Sequence, residues 1–349
     1  MAQTGKDVLP GAAGLAGAIA LETGTELGEI DVKARGYWEQ VWARFKQDRL
    51  AVAGGITIIL LLLAATFGAP IAEAWLGHGP NDLFFTGGVN QTTLLPVGPF
   101  SRISDDLHPG HTTLFILGAD STLGRDEFLR LLYGARASLE VALLATIGSI
   151  GIGVILGAVA GYFRGWVDTV VSRVTEITMA FPALLFIIAL ASTVGNRLNN
   201  ITFGIFGQGV VTLFLVFSVF GWFYPARIIR AVVLSLREKE FVEAARMVGS
   251  SDARIIRSHI LPHLVAPIIV YSTLSVASFI LGEAGLSYLG VGIKLPTSSW
   301  GNLLQQATDY YTQQPWLMVW PGLAVLVTTL SFNLLGDGLR DAFDPRGVH

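Results

Sequence analysis

Six apolar stretches, each long enough to cross a bilayer, constrain this sequence more than any other feature. An α-helix needs about 20 mostly apolar residues to span a hydrocarbon core of about 30 Å. The predicted spans are residues 50–72, 139–162, 174–195, 209–232, 266–290 and 316–338. Composition agrees, because 52% of the 349 residues are hydrophobic and only 14% are charged, unlike a typical soluble domain. The sequence therefore predicts an all-α integral membrane protein with about six transmembrane helices.

The distribution of basic residues predicts which side of the membrane each loop occupies. If the amino terminus is inside, seventeen Lys and Arg residues fall inside and six fall outside. Cytoplasmic loops carry the excess of Lys and Arg in membrane proteins. Both termini are therefore predicted to lie in the cytoplasm. The net charge of −3 adds little, because the placement of charge between loops is more informative than its sum.

The spans divide the chain into segments. The tail ends in a stretch, Tyr37 to Arg49, that predicts an amphipathic helix, which either lies on the membrane surface or packs on the subunit. The residues before Ala135 predict a short amphipathic helix on the outer membrane face. The predicted segments are a cytoplasmic tail (1–49), a first transmembrane helix (50–72), an external segment (73–138), a core with five transmembrane helices (139–343) and a cytoplasmic carboxyl terminus (344–349).

The polar segment between the fourth and fifth spans, residues 233–265, is strongly patterned and predicts two short helices. The first helix bears an apolar stripe of four residues: Phe241, Ala244, Ala245 and Val248. Gly249 ends this helix, and the Ser250 and Ser251 hydroxyls can cap the next one. Asp252 favours the positive end of that second helix, and Pro262 marks the return to the membrane. A small apolar stripe on the cytoplasmic side suits docking in a groove of a partner protein.

This loop resembles the EAA loop of ABC importer permeases. Glu243, Ala244 and Ala245 are followed by Gly249 and then by a closing Leu261-Pro262. His259 stands where the general pattern has an aliphatic residue, and His at that place resembles the oligopeptide, dipeptide and nickel branch. Four other stretches, in the right order, resemble the C-type permease of that branch: residues 123–139, 179–185, 221–246 and 281–304. The resemblance covers roughly residues 120–345, and the region 73–118 has no matching motif.

The resemblance implies a type I ABC importer permease fold in the cytoplasmic (inner) membrane of a prokaryote. It implies half of a translocation pathway for short peptides, or for nickel or opine-like solutes, delivered by an extracytoplasmic solute-binding protein. The implied partners are a second, homologous permease and two ATP-binding-cassette ATPase subunits, which would bind ATP and Mg and dock on the loop. The implied coupling residues are Phe241, Glu243, Ala244, Ala245, Val248, Gly249, Ser251, Asp252, Leu261 and Pro262.

A second group of residues is a candidate for the translocation pathway: Glu283, Ser287, Trp300, Asn302 and Asn333. Glu283 either lies beside an outer gate or pairs with a neighbour near a helix end. Trp300 follows a turn that predicts the cap of a short outer helix. It either lines the outer mouth or anchors that helix at the membrane interface. The polar residues of span six predict an inner half that points into the bundle.

Span two carries Gly153, Gly157 and Gly161 at intervals of four. Such a stripe lets another helix approach closely, although glycine is common in this chain, with 40 residues. We interpret the stripe as a helix-packing surface. Together with the polar face of span six, it predicts a protein neighbour, such as a second permease. Near the inner end of span three, Glu176 is predicted to pair with Arg173, one turn away.

Motifs for catalysis and for ATP binding are absent from the sequence. Gly5-Lys6 is followed by Asp7 and does not form a phosphate loop. There is no cysteine, and the six histidines, His108 and His111 among them, have no metal-ligand spacing inside a span. The chain is therefore predicted to have no catalytic residue, no metal or cofactor of its own and no nucleic-acid partner. The alternative function, a stand-alone secondary transporter or channel, would be expected to show duplicated halves or coupled intramembrane charges.

Overall fold

A computed structural model describes residues 36–180, 182, 185–190, 193 and 209–344. The chain divides into two units, Met1–Gln40 and Val41–His349. Residues 36–40 are the described part of the first unit, and they include the first turn of helix α1 (Tyr37–Gln47). The remainder of the 1–49 tail before residue 36 lies outside the described residues.

The second unit is a helical bundle whose long helices match the predicted spans. Five helices in the described part of the chain are long and apolar enough to cross a membrane: Arg49–Leu76, Glu127–Phe163, Val210–Leu236, Asp252–Tyr288 and Trp316–Phe343. The predicted all-α membrane protein is thereby confirmed. The predicted span 174–195 lies only partly within the described residues, so the number six stays a prediction.

The bounds of the elements are as follows. Before the external segment, α2 (Arg49–Leu63) and α3 (Ala69–Leu76) are joined by a π-helical segment (Ala64–Gly68). The later helices are α4 (Glu127–Phe163), α5 (Gly165–Ala180), α6 (Val210–Gly221), α7 (Phe223–Leu236), α8 (Glu240–Met247), α9 (Asp252–Ile255), α10 (Val265–Tyr288), α11 (Trp300–Ala307) and α12 (Trp316–Phe343). A π-helical turn (Ile256–Ile260) and a 3₁₀ turn (Leu261–Leu264) connect α9 to α10.

Helix α4 is the centre of the bundle and packs against α6, α7 and α10, while α2 packs along α12. Helix α4 starts at Glu127 because the Asp126 side chain accepts hydrogen bonds from the backbone N–H groups of Phe128 and Leu129, at 2.8 and 3.1 Å. No glycine–proline break follows, so the helix continues to Phe163. The separate short helix predicted before Ala135 is therefore wrong, since those residues are the first turns of α4.

The return to the membrane after the cytoplasmic loop is also continuous. Pro262 and Pro267 do not end a helix. Pro262 lies in the 3₁₀ turn between α9 and α10, and Pro267 lies in the first turn of α10, where proline is tolerated. The predicted second short helix of the loop, starting at Asp252, is thus the first turn of the helical run that ends at Tyr288. Helix α10 itself begins at Val265, and the predicted start of span five at residue 266 stays a prediction.

The external segment is a packed structure that the sequence did not predict. Strands β1 (Ser101–Ser104) and β2 (Thr112–Phe115) pair antiparallel, with Ser101 opposite Phe115. A small core of Phe84, Ile103, Phe115 and Ala119 lies beneath them. Four-residue strands give too short an alternation to stand out from a loop in the sequence.

Helix α1 has two different sides within the second unit. Val41 and Phe45 are buried in a cluster with Ala51 and Ala342. Trp42 is 56% exposed, and the Lys46 ammonium lies 5.1 Å from its ring centroid. The packing interpretation holds for Val41 and Phe45, and the exposed Trp42 remains available to a membrane surface.

Candidate functional site

The loop between α7 and α10 forms a short helix, α8, which is closed by Gly249. Gly249 has φ +80°, the left-handed conformation that glycine adopts without strain. Its N–H bonds the Arg246 carbonyl at 2.9 Å, and the Ser250 N–H bonds the Ala245 carbonyl at 3.0 Å. This pair of bonds is a Schellman motif. The predicted end of the first loop helix is therefore in place, and we call α8 the coupling helix after its predicted role.

The two faces of the coupling helix differ from the predicted stripe. Ala245 is 6% exposed and packs with Val242, a residue that the stripe did not include. Ala244 and Phe241 are exposed, while Met247 and Val248 at the end of the helix are 84% and 82% exposed. The stripe was wrong for Ala245, because the helix side that carries Val242 and Ala245 packs on its own subunit. The apolar edge left open consists of Phe241, Ala244, Met247 and Val248.

A cluster of apolar residues holds the coupling helix against three other helices. Its buried members come from α4, α7, the coupling helix and the helical run that starts at Asp252: Ala158, Tyr162, Ile229, Val233, Val242, Ala245, Ile255, Ile260 and Leu264. The exposed edge is therefore presented on a helix whose inner face is fixed in place.

Tyr162, the penultimate residue of α4, is the polar contact between the bundle and the loop. It is 2% exposed, and its hydroxyl donates to Asp252 Oδ1 at 2.6 Å. The Arg246 and Arg237 guanidinium groups lie 5.4 and 5.7 Å from the centroid of its ring, distances typical of cation–π contacts. Arg237 also donates to the Tyr162 carbonyl. No local pattern marks this residue, because its partners lie 75 or more positions away in the chain.

The remaining predicted coupling residues have different environments. Glu243 is exposed, and Pro262 is exposed beside the half-buried Leu261. Ser251 precedes α9 in an extended conformation, but its side chain makes no capping hydrogen bond. The predicted Ser251 cap is therefore wrong, because the hydroxyl does not point back at the free N–H groups of α9. The Asp252 carboxylate instead accepts the hydrogen bond from the Tyr162 hydroxyl.

The candidate pathway residues at the other end of the bundle are mostly sealed inside the protein. Glu283 and Ser287 are 0% exposed. Glu283 accepts hydrogen bonds from the Ser138 and Ser287 hydroxyls, both at 2.6 Å. Ser287 also accepts the Ile293 N–H at 2.9 Å. Of the two interpretations of Glu283, this geometry matches pairing with neighbours, because the carboxylate ties α10 to α4.

Trp300 and Asn302 lie in the buried cap of helix α11. Ser299 and Asn302 form a capping box, with the Asn302 N–H bonding Ser299 Oγ at 3.2 Å and the Ser299 N–H bonding Asn302 Oδ1 at 3.0 Å. Trp300 is 1% exposed and donates its indole N–H to the Leu131 carbonyl at 3.2 Å. The predicted capped helix is present. An interfacial anchor and a lining of the mouth are both wrong for Trp300, since its ring packs inside the subunit.

The polar half of span six is divided between the interior and the surface. Thr328, Thr329 and Ser331 are buried, and each hydroxyl donates to the carbonyl four residues earlier in α12. Asn333 is exposed. The predicted inward face therefore includes the three hydroxyl residues, which are satisfied within their own helix, and excludes Asn333.

The glycine stripe of α4 packs on α7. A Cβ atom at Gly153 would lie 2.7 Å from Pro225 Cβ, and one at Gly157 would lie 2.5 Å from the Ala226 carbonyl oxygen. At Gly161 the nearest atom is the Arg230 carbonyl oxygen, at 2.8 Å. The stripe is filled by a helix of the same chain. The prediction that this stripe needs a neighbour from a second permease is therefore wrong, because α7 of the same chain covers it.

Helix α5 forms one ion pair with α7 and another between two of its own residues. Arg230 Nη2 donates to Asp168 Oδ2 at 2.7 Å, and this hydrogen bond holds the pKa of the Asp168 carboxyl below its usual value. Arg173 and Glu176 are paired at 2.7 Å on the exposed side of α5, the arrangement expected for Glu176.

A buried polar network in the external segment was missed in the sequence. His78 Nε2 lies 3.0 Å from Asp126 Oδ2, and Thr113 Oγ1 lies 3.2 Å from His78 Nδ1. Asp120 pairs with Arg125 and Arg130 at 2.8 and 2.9 Å. Neither network is a metal site, and within the described ranges no group of three His, Cys, Asp or Glu side chains could hold a metal ion. His108 is exposed and pairs with Asp105 at 3.0 Å.

Two family models match this chain. The model described as "Binding-protein-dependent transport system inner membrane component" matches residues 153–348. The model described as "N-terminal TM domain of oligopeptide transport permease C" matches residues 36–90. Together they include α1, α2, α3, the last turns of α4 from Gly153 onward, and every later element.

Curated proteins of two transport systems are similar over most of the chain. A dipeptide transport system permease protein of Alkalihalophilus pseudofirmus is 35% identical over 309 residues, which are 88% of this chain and 90% of that protein. A glutathione transport system permease protein of Pectobacterium atrosepticum is 34% identical over 316 residues, 90% and 93% of the two chains. A solved methionine ABC transporter in inward facing conformations matches with a TM-score of 0.46 and 17% identity, covering 62% of this chain and 97% of that chain.

Proposed function

Because the chain belongs to the family of binding-protein-dependent transport system inner membrane components, we propose that it is one permease subunit of an ABC importer for short peptides. It forms half of the translocation pathway and is paired with a second, homologous permease. A solute-binding protein delivers the peptide, and two ATPase subunits bind ATP and Mg and drive transport. The chain itself cleaves no ATP and is not an enzyme.

The exposed apolar edge of the coupling helix is the observation that supports ATPase docking best. Met247 and Val248 are more than 80% exposed, although the inner face of the same helix is anchored by Val242 and Ala245. An apolar edge next to exposed Arg and Glu side chains, on the side predicted to be cytoplasmic, fits the groove of a soluble partner better than lipid. A stand-alone transporter has no evident use for such an edge.

The peptide class is supported by the names of the relatives. The two similar proteins reported above belong to dipeptide and glutathione transport systems, and both solutes are short peptides with charged ends. Nickel and opine-like solutes remain the other solutes implied by the sequence resemblance. The pairing with a second, non-identical permease is supported by the resemblance to the C-type subunit.

Co-expression tests the proposal. The chain is produced with its companion permease, the ATPases and the binding protein of its genome, and purified through a tag on this chain. We expect the ATPases to co-purify and the complex, in proteoliposomes, to import radiolabelled dipeptides only with ATP and the loaded binding protein. ATP-independent uptake by this chain alone would support the secondary transporter instead. Transport by a homodimer of this chain would contradict the heteromeric assignment.

A further inference from the structure

An open polar recess lies at the end of the bundle that adjoins the external segment. It encloses about 440 Å³ between α3, the turn that follows it, the first turns of α4 and the turn before α11. Cavities that hold small ligands measure roughly 300 to 1,000 Å³. Five of its lining residues carry the argument: Glu73, Tyr133, Arg136, Glu140 and Thr297. We call it the polar recess.

The polar recess is the accessible neighbour of residues that a solute cannot reach. Glu283, Ser287 and Trp300 are at most 1% exposed, so none of them presents a polar atom to the pathway. Thr297, in the wall of the recess, accepts a hydrogen bond from Asn302 through its carbonyl at 2.8 Å. The recess is therefore an open polar surface at this end of the bundle, and the buried cap of α11 supports its wall.

Both signs of charge line one wall of the polar recess. Tyr133, Arg136 and Glu140 are spaced i, i+3 and i+7 on α4, which places them on one face of the helix. Arg136 Nε donates to Glu140 Oε1 at 2.8 Å. Within the described part of the chain, this bond leaves both terminal nitrogens of Arg136 and the second oxygen of Glu140 without a partner.

A third charged group stands opposite, on α3. The Tyr133 hydroxyl donates to Glu73 Oε2, which orients the Glu73 carboxylate. Glu73 Oε1 makes no hydrogen bond to any described residue. The recess thus offers a guanidinium fork, on the exposed Arg136, and two carboxylate oxygens, on the half-buried Glu140 and Glu73. Hydrogen bonds in which a partner is ionised are shorter and stronger than those between neutral groups.

We propose that the polar recess transiently binds a short zwitterionic peptide, with the peptide carboxylate on Arg136 and its free ammonium on Glu140 and Glu73. A ligand with negative charges alone would meet two carboxylates, and one with positive charges alone would meet Arg136. A peptide with both free ends matches both signs. This inference rests on the proposed function, and it adds the chemical requirement that the subunit places on its solute.

Thiol protection tests the site without relying on transport. The chain has no cysteine, so Thr297→Cys places a single thiol of this subunit in the recess wall. In the complete complex in nanodiscs, with any thiols of the other subunits replaced, we expect a free dipeptide to slow its modification. The same dipeptide with an acetylated amino end and an amidated carboxyl end should not slow the modification of this thiol. Thr92→Cys, an exposed thiol elsewhere in the external segment, should react equally in all cases.

Two charge substitutions connect this protection to the named groups. Glu140→Gln and Arg136→Gln should each abolish the protection of the Thr297→Cys thiol. Each should also lower the peptide imported per ATP hydrolysed by about tenfold, the effect of one lost charge-assisted hydrogen bond. Glu176→Gln removes a similar helix-surface ion pair at 2.7 Å outside the recess and should change neither measurement.

The outcomes separate this inference from the proposed function. Equal protection by the free and the blocked dipeptide, or none by either, would overturn the zwitterion site. Unchanged protection in both charge variants would also overturn it. Failure of the unmodified complex to import any dipeptide would overturn the proposed function instead.

Discussion

At the scale of single residues, neighbours in the EAA motif have opposite environments. Ala244 is exposed at the open edge of the coupling helix, and Ala245 is buried against Val242 and the α4–α7 pair. Both are small, but for different reasons. Ala245 is small because three helices converge on it, whereas a small Ala244 leaves room for a partner to approach closely.

Arginine substitutions should separate these two roles. Ala244→Arg should leave the thermal stability of the subunit in detergent unchanged and prevent the ATPases from co-purifying. Ala245→Arg should destabilise the subunit itself, by several kcal/mol, because a buried unpaired charge is costly. Thermal unfolding and pull-down yields measure the two effects. Retention of the ATPases and of normal uptake by Ala244→Arg would contradict the docking surface.

At the scale of helices, Tyr162 connects the end of α4 to both ends of the cytoplasmic loop. Its hydroxyl reaches Asp252, its ring lies near Arg246, and its carbonyl binds Arg237. We therefore expect a displacement of the coupling helix to reach α4 through hydrogen bonds as well as through apolar packing. Since α4 also contacts α6, α7 and α10, we expect such a displacement to affect most of the bundle.

Removing the Tyr162 hydroxyl should uncouple ATP hydrolysis from transport. Tyr162→Phe keeps the ring between the arginines but loses the bond to Asp252, so we expect the ATPases to co-purify normally while less peptide is imported per ATP. Asp252→Asn, which can still accept the hydroxyl proton, should be milder. Proteoliposome assays of peptide import and of ATP hydrolysis give the amount of peptide imported per ATP. An unchanged ratio in Tyr162→Phe would show that the apolar cluster alone carries the motion.

The approach of α4 to α7 should depend on the glycine stripe. Gly157→Ala places a Cβ atom 2.5 Å from the Ala226 carbonyl oxygen, and overpacking of this kind costs about 1–3 kcal/mol. Gly151→Ala is the matched control on the same helix, because nothing lies within 4 Å of its Cβ position. We expect a lower unfolding temperature for the first variant only. Equal temperatures would mean that α7 shifts without cost.

At the scale of the whole molecule, the structure distinguishes two ends of the bundle. One end carries the external segment with its buried core and the polar recess. The other carries the coupling helix and α1. The excess of basic residues at the second end predicts that it faces the cytoplasm, and this orientation stays a prediction.

Single cysteines can establish the orientation. Asn90→Cys and Gln313→Cys are exposed positions at the predicted outer end, and Ala253→Cys is exposed at the predicted inner end. In intact cells an impermeant thiol reagent should modify the first two and spare the third, which should react only after permeabilisation. Modification of Ala253→Cys from outside would invert the topology.

Local chemistry allowed much of the fold to be predicted from the sequence. The apolar runs fixed the spans, because burial of backbone polar groups in lipid permits only helices of sufficient length. Gly249 predicted the end of the coupling helix, because a left-handed residue there favours glycine. The turn before Trp300 predicted a capped helix, and the structure forms that cap from Ser299 and Asn302, whose hydrogen bonds join residues three apart. The family followed from motifs of this local kind.

Only the tertiary structure decided which surface each side chain faces. Helical periodicity predicted an apolar stripe on the coupling helix. It did not predict that Ala245 faces inward and Met247 faces outward. Glu283 was ambiguous because its partner Ser138 lies 145 residues away. Tyr162 was missed because its hydrogen-bond partners lie 75 and 90 residues away. The polar recess combines α3, α4 and the turn before α11. Such contacts depend on how helices assemble, and a pattern within one helix carries no information about which neighbour covers it.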